Sequence, residues 1–273
     1  MNCITSPLSS VSVSVPPTPP SCLSLGHPPL TFPRAWPSLQ ATGRWLLASN
    51  YGNGSICVYA INVDGTLGKV VDMRSFGTEL RPSHAHCGVF APGNAHAFVC
   101  DLGLDGIHQF HFDDNTGKLR ENEAEPFSHS SKGSGPRHMV FHPNNVAAYT
   151  INEKDSTIDS FSYHASGRLR RERTVSTLPD DFKGESFCAE IKVSPDGRHV
   201  YGSNRAVEPA FSTIVVYRVV EDASAPKATA LGRVAFSIDS ISWPRGMSLS
   251  PSGRHMIVAN QKGRYLLVLI YIQ

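Results

Sequence analysis

GPRHMVFHPNNVAAYTINEKDSTIDSF, residues 135–161, decides the fold. Two short apolar runs, MVF and AAYTI, flank a His-Pro-Asn-Asn turn, and a third, TIDSF, follows a polar break. Runs this short, rich in β-branched and aromatic residues and separated by turn formers, read as consecutive antiparallel strands. Arg137 heads the first strand and Glu153 follows the second.

The same pattern recurs along the chain, and the recurrence is the most informative property of the sequence. GRWLLASNYGNGSICVY from Gly43, NAHAFVCDLGLDGIHQF from Asn94, NNVAAYTINEKDSTIDSF from Asn144, GRHVYGSNRAVEPAFSTIVVY from Gly197 and GRHMIVANQKGRYLLVLIY from Gly253 align by eye. The polar residues that close the first strand of each, Asn50, Asp101, Asn152, Asn204 and Asn260, are spaced by 51, 51, 52 and 56 residues. Four of the units carry a further strand upstream: HCGVFAP, RHMVFHP, AEIKVSP and RGMSLSP. With a polar-apolar stretch after the second aligned strand, each unit becomes four short antiparallel strands. Four-stranded units repeating at about 40–50 residues predict a β-propeller. No stretch shows a sustained helical period.

With the strands of a unit named A to D from the axis outward, the residue before A and the residue after B come to the same pole, near the axis. His86, Arg137, Glu190 and Arg245 stand at the A position, and Asp101, Glu153, Arg205 and Gln261 follow the B strands. A rigid scaffold holding variable loops is where ligands bind. His84 joins this set through the His84-Ala85-His86 run.

Composition excludes several classes of function. The net charge of +2 is spread along the chain, so no nucleic-acid or membrane-surface footprint is expected. The longest apolar run, YLLVLIYI at 265–272, is strand-sized. Residues 1–33 contain no Lys or Arg, unlike a secretory or transit segment, which predicts a cytoplasmic protein. Residues 1–40 are rich in Ser and Pro and are expected to be disordered, leaving 41–273 as one propeller domain. The six cysteines show no metal or CxxC spacing and read as buried thiols. His138 and His142 follow strand periodicity and read as packing residues.

The polar set suggests chemistry without a cofactor or metal. Arginines such as Arg137 and Arg205 suit a small anionic substrate, a phosphate or a carboxylate, because the guanidinium fork stays charged and donates in pairs. Glu153 can serve as acid or base, and His86 can exchange a proton near neutral pH. No GxSxG element accompanies them.

RPSHAHCGVFAPG, VCDLGLDGIHQF, GSGPRHMVFHPN, YTINEKDSTI, LPDDFKGESFCAEIKVSPDGRHVYGSNR and PRGMSLSPSGRHMIVANQ resemble successive motifs of the lactonase family of seven-bladed propellers, over about residues 41–263. That family contains bacterial-type 6-phosphogluconolactonases and fungal 3-carboxy-cis,cis-muconate lactonizing enzymes. The resemblance implies that His86, Arg137, Glu153 and Arg205 form the catalytic set, and the repeat's geometry places His84, Asp101, Glu190, Arg245 and Gln261 around the substrate. The motif wording is closer to the phosphogluconolactonase branch, which implies hydrolysis of a sugar-phosphate lactone. Cyclisation of a carboxymuconate and a propeller used only for binding are the alternatives. Seven such units do not fit into 273 residues, so an incomplete ring of about four to five blades is expected, with strand A of the first unit, around PSLQAT, degenerate.

Overall fold

The computed structural model describes residues 10–14, 35–208, 210–220, 226–237 and 240–270, and among these it contains strands but no helix. The first strand, β1 (Ser10–Ser14), belongs to the last sheet. Blade 1 is β2 (Ala35–Leu39), β3 (Trp45–Asn50), β4 (Ser55–Ile61) and β5 (Leu67–Ser75). Blade 2 is β6 (Ala85–Phe90), β7 (His96–Asp101) and β8 (Gly106–Asp113). Its outer edge is divided between β9 (Lys118–Glu121) and β10 (Phe127–His129), both paired with β8. Blade 3 is β11 (Pro136–Phe141), β12 (Ala147–Asn152), β13 (Thr157–Tyr163) and β14 (Leu169–Ser176). Blade 4 is β15 (Ser186–Val193), β16 (His199–Ala206), β17 (Thr213–Val220) and β18 (Ala230–Ser237). Blade 5 is β19 (Pro244–Leu249), β20 (His255–Asn260) and β21 (Tyr265–Ile270), completed by β1 along β21.

The predicted repeat is therefore present as five successive antiparallel blades, an incomplete ring of the propeller type. The disorder expected of residues 1–40 falls largely on positions outside the described residues. Within that stretch, however, β1 and β2 are strands, and β2 supplies the first unit's A strand just upstream of its expected place.

The core consists of four layers, one between each pair of neighbouring blades. Alternation along the strand sends successive side chains to opposite faces, so the B strands of blades 2, 3 and 4 each serve two layers and those of blades 1 and 5 one. In β7, Val99 packs toward Trp45, Leu47 and Ile56 of blade 1, while Phe98 and Cys100 pack toward Met139, Ala148 and Phe161 of blade 3. Further layers form around Tyr149, Ile158 and Val215, and around Ile214, Val258 and Leu267. Each fully buried large aliphatic or aromatic chain contributes about 1.5–3 kcal/mol. The first and fifth blades share no comparable interface among the described residues.

One irregularity recurs where the A strands begin. In β6, Ala85 pairs with Asp101 and Cys87 with Cys100, so His86 is an extra residue. Arg137 in β11 and Arg245 in β19 are extra in the same way, and β15 takes its extra residue between Cys188 and Ile191. Such bulges break the alternation and re-aim a side chain. Blade 1 pairs without one.

Candidate active site

The bulges of blades 2, 3 and 5 supply His86, Arg137 and Arg245; Glu153 and Gln261 follow their B strands, whereas Arg205, expected after its B strand, lies within β16, which runs on to Ala206. Glu153 Oε2 lies 2.7 Å from Arg137 Nε and 3.1 Å from an Arg205 amino nitrogen, so one carboxylate oxygen bridges blades 3 and 4. The Arg137 Nε–H is not aimed along its line, which makes this contact an ion pair more than a hydrogen bond. Both guanidinium groups also hold the bulged backbone of β15. Arg137 donates to the Ala189 carbonyl, while Arg205 donates to those of Phe187 at 3.2 Å and Cys188 at 2.7 Å. Arg137 and Arg205 are almost completely buried. Burial lowers Arg137 to about 10, still charged at neutral pH, and Glu153 opposes the shift.

His86 stands beside this triad. Its buried Nδ1 has no hydrogen-bond partner among the described residues. Its ring is held by edge contacts from Tyr51, with centroids 5.7 Å apart, and from His138 at 4.9 Å. Burial first, and then the charges of Arg137 and Arg245, push its pKa well below 6.5, so at neutral pH it is a neutral imidazole able to take up a proton.

Behind His86 lies a sealed group that sequence reading treated otherwise. His138, read as a packing residue, places Nδ1 2.9 Å from Glu190 Oε1, which also takes Lys192 Nζ at 3.0 Å. One Arg137 nitrogen is 3.1 and 3.4 Å from the two ring nitrogens of His138. An atom nearly equidistant from both must lie over the ring, because in its plane it would strike the carbon between them. That guanidinium nitrogen therefore sits over the face of the imidazole. Burial, with the Arg137 charge in support, lowers His138 to about 4 and keeps it neutral. For Glu190 burial works upward, but His138 and Lys192 outweigh it, bringing the carboxyl to about 2. Glu190 is only 2% exposed, so the expectation that it contacts substrate is corrected: its oxygen is spent inside the protein.

Asp101 is corrected on stronger grounds. Its carboxylate is fully buried and accepts from Ser83 Oγ, from the backbone N–H groups of His84, Gly103 and Leu104, and from His108. It closes the B–C turn, as Asn152 does through Thr157 and Asp159, and Asn204 through Thr177 and Thr213. The position equivalent to Glu153 in that blade is Leu102, one residue further on. His84 stacks on Tyr51 with centroids 4.5 Å apart and bonds its carbonyl, at the edge of the pole. Arg245 is partly exposed and reaches Gln261 Oε1 at 3.4 Å, so this pair does stand at the pole. No three His, Cys, Asp or Glu side chains converge to hold a metal among the described residues. Cys87 and Cys188 are buried thiols that burial pushes up to about 12, which suits packing and not nucleophilic attack.

Trp243, Lys192 and Lys262 also reach this region and were not singled out from the sequence. Arg137, Arg205, Arg245, Lys192 and Lys262 together outweigh Glu153 and Glu190, leaving the cluster net positive.

Residues 27–270 match the sequence pattern described as lactonase, 7-bladed beta-propeller. The chain belongs to the lactonase family. Relatives called 6-phosphogluconolactonase from an Enterobacter species and from Cronobacter sakazakii are each 32% identical to it, over 84% and 89% of this chain and 64% and 68% of their own. The solved periplasmic gluconolactonase of Pseudomonas aeruginosa superposes with a TM-score of 0.76 at 28% identity, covering 86% of this chain and 65% of that one. The chain thus spans about two thirds of the length of these lactonase-family relatives.

Proposed function

We propose that the chain carries a lactonase site that hydrolyses a sugar-phosphate lactone such as 6-phosphogluconolactone. The observation that carries this reading is an unpartnered, neutral His86 beside the Arg137–Glu153–Arg205 cluster. His86 takes a proton from water as the oxygen attacks the lactone carbonyl, and then gives it to the ring oxygen as the acyl–oxygen bond breaks. The guanidinium groups of Arg137, Arg205 and Arg245 provide a fixed positive field for the oxyanion formed in between. Glu153, whose Oε2 is shared by two arginines, holds that field in place. This gives the base role to His86, since Glu153 Oε2 is already engaged by two guanidinium groups.

The supporting measurement is hydrolysis of 6-phosphogluconolactone above the spontaneous rate, followed by proton release. His86→Gln is expected to lower kcat by about 100-fold or more, as removal of a general base does. Equal activity in the variant would remove His86 from the mechanism, and cyclisation of a carboxymuconate without lactone hydrolysis would move the chain to the other branch of the family.

A further inference from the structure

Trp243 has a backbone φ of +57°, a left-handed conformation that a bulky aromatic residue rarely adopts. The repeat shows what belongs there. Gly135-Pro136-Arg137 in blade 3 corresponds to Trp243-Pro244-Arg245 in blade 5, and Gly135 has a φ of +63°. The equivalence holds in the hydrogen bonds: the amide of Glu153 donates to the Gly135 carbonyl at 2.8 Å, and that of Gln261 to the Trp243 carbonyl at 3.0 Å. Blade 5 therefore places a tryptophan in a slot suited to glycine, and backbone strain of this kind persists where function requires it.

The following lysines diverge in step. Lys154 packs its stem on Gly135 and donates to the Leu102 carbonyl at 3.1 Å. Its counterpart Lys262 cannot use that arrangement, because the indole fills the slot. Its ammonium sits 3.9 Å over the Trp243 ring, with no carboxylate partner among the described residues. Arg205 of the catalytic cluster approaches the same ring at 5.8 Å. Beside them lies a cavity of about 310 Å³ between blades 4 and 5, lined by Glu208, Phe211, Ser212, Ser242, Trp243 and Lys262, among others.

We propose that this cavity is the specificity subsite of the lactonase reading on which it rests, and that Lys262, positioned by Trp243, binds the phosphate of the substrate. An ammonium resting on an aromatic face still has N–H donors that point away from the ring and can bind an anion. Glu208 and Ser242 on the lining suit sugar hydroxyls, and exposed Phe211 at 76% gives an apolar edge to a ring. Trp243 acts through Lys262 and is a positioning residue.

The test compares kcat/KM for 6-phosphogluconolactone with that for glucono-δ-lactone. Lys262→Ala is expected to lower the phosphorylated-to-unphosphorylated ratio by about 10- to 100-fold, as loss of a charged hydrogen bond does. Lys262→Arg should restore most of it. Trp243→Gly, which recreates the blade 3 slot, should lower the ratio similarly without a fall in Tm. Quenching of tryptophan fluorescence by 6-phosphogluconate, with gluconate and inorganic phosphate as separate arms, reads binding without turnover. A ratio unchanged in Lys262→Ala, or 6-phosphogluconate binding that is equal in wild type and Lys262→Ala, overturns the subsite alone. If no lactone is hydrolysed yet 6-phosphogluconate binds and Lys262→Ala abolishes that binding, the subsite stands and the lactonase reading falls.

Discussion

Glu153 shares one oxygen between two buried guanidinium groups, so replacing it leaves Arg137 and Arg205 without their counter-charge. Glu153→Gln should destabilise the fold by about 2–3 kcal/mol, below the usual cost of breaking a buried pair because Glu153 is partly exposed. Thermal unfolding checks this, and an unchanged Tm would show that the arginines are held by the β15 carbonyls alone. The His138–Glu190 pair gives a pH signature with a definite sign. The unfolded chain protonates His138 near 6.5, but the folded chain only near 4, so stability is complete above about pH 6.5 and declines as pH falls toward 4. The loss reaches at most about 3 kcal/mol. Below 4.5 a second loss begins, because Glu190 keeps its charge in the fold down to about 2. Urea denaturation at stepped pH measures both, and His138→Gln should remove the first decline and shrink the second, because His138 also holds the Glu190 carboxyl down. These residues were only half legible in sequence. Arg137, Glu153 and His86 announced themselves by their place in the repeat. His138 did not, since the bulge at Arg137 turns a position that alternation assigns to packing toward the axis.

The B–C turn is the element that the sequence reading placed one residue out. Closing Asn or Asp residues mark the repeat because they complete turns, not because they face a ligand, and Asp101 shows this most fully. Asp101→Ala should cost about 3 kcal/mol or more by orphaning several buried donors at once, with KM unchanged in the protein that remains folded. A rise in KM matching the loss of stability would return Asp101 to the site. The signal for the correct assignment was available, because Glu153 follows Asn152 just as Leu102 follows Asp101. Trp243 was also visible as the one Trp-Pro-Arg against Gly-Pro-Arg, yet its meaning depends on a φ value that sequence does not display.

At the scale of the molecule, spacing alone revealed the blades, since each repeat buries its B strand against the blade beside it. The pairing of β1 with β21 was missed because it joins positions more than 250 residues apart and lies in a Ser/Pro-rich segment. The Ser-Val alternation of SVSVS was the available trace of a strand. Deleting residues 1–14 should unpair the β21 edge and speed amide exchange in β20 and β21 by about tenfold or more, with blades 2 and 3 unaffected. Equal protection in both proteins would show that β1 adds nothing to blade 5.

The bulge at the head of the A strand in blades 2, 3 and 5 separates two kinds of information in the repeat. Neighbouring residues answer to the ladder and cannot change without disturbing a layer of core. The extra residue stands outside the ladder, and it is His, Arg and Arg in blades 2, 3 and 5. A chain built this way can rewrite its polar face one blade at a time while its folding instructions stay constant, as a keyboard changes its legends without changing its frame.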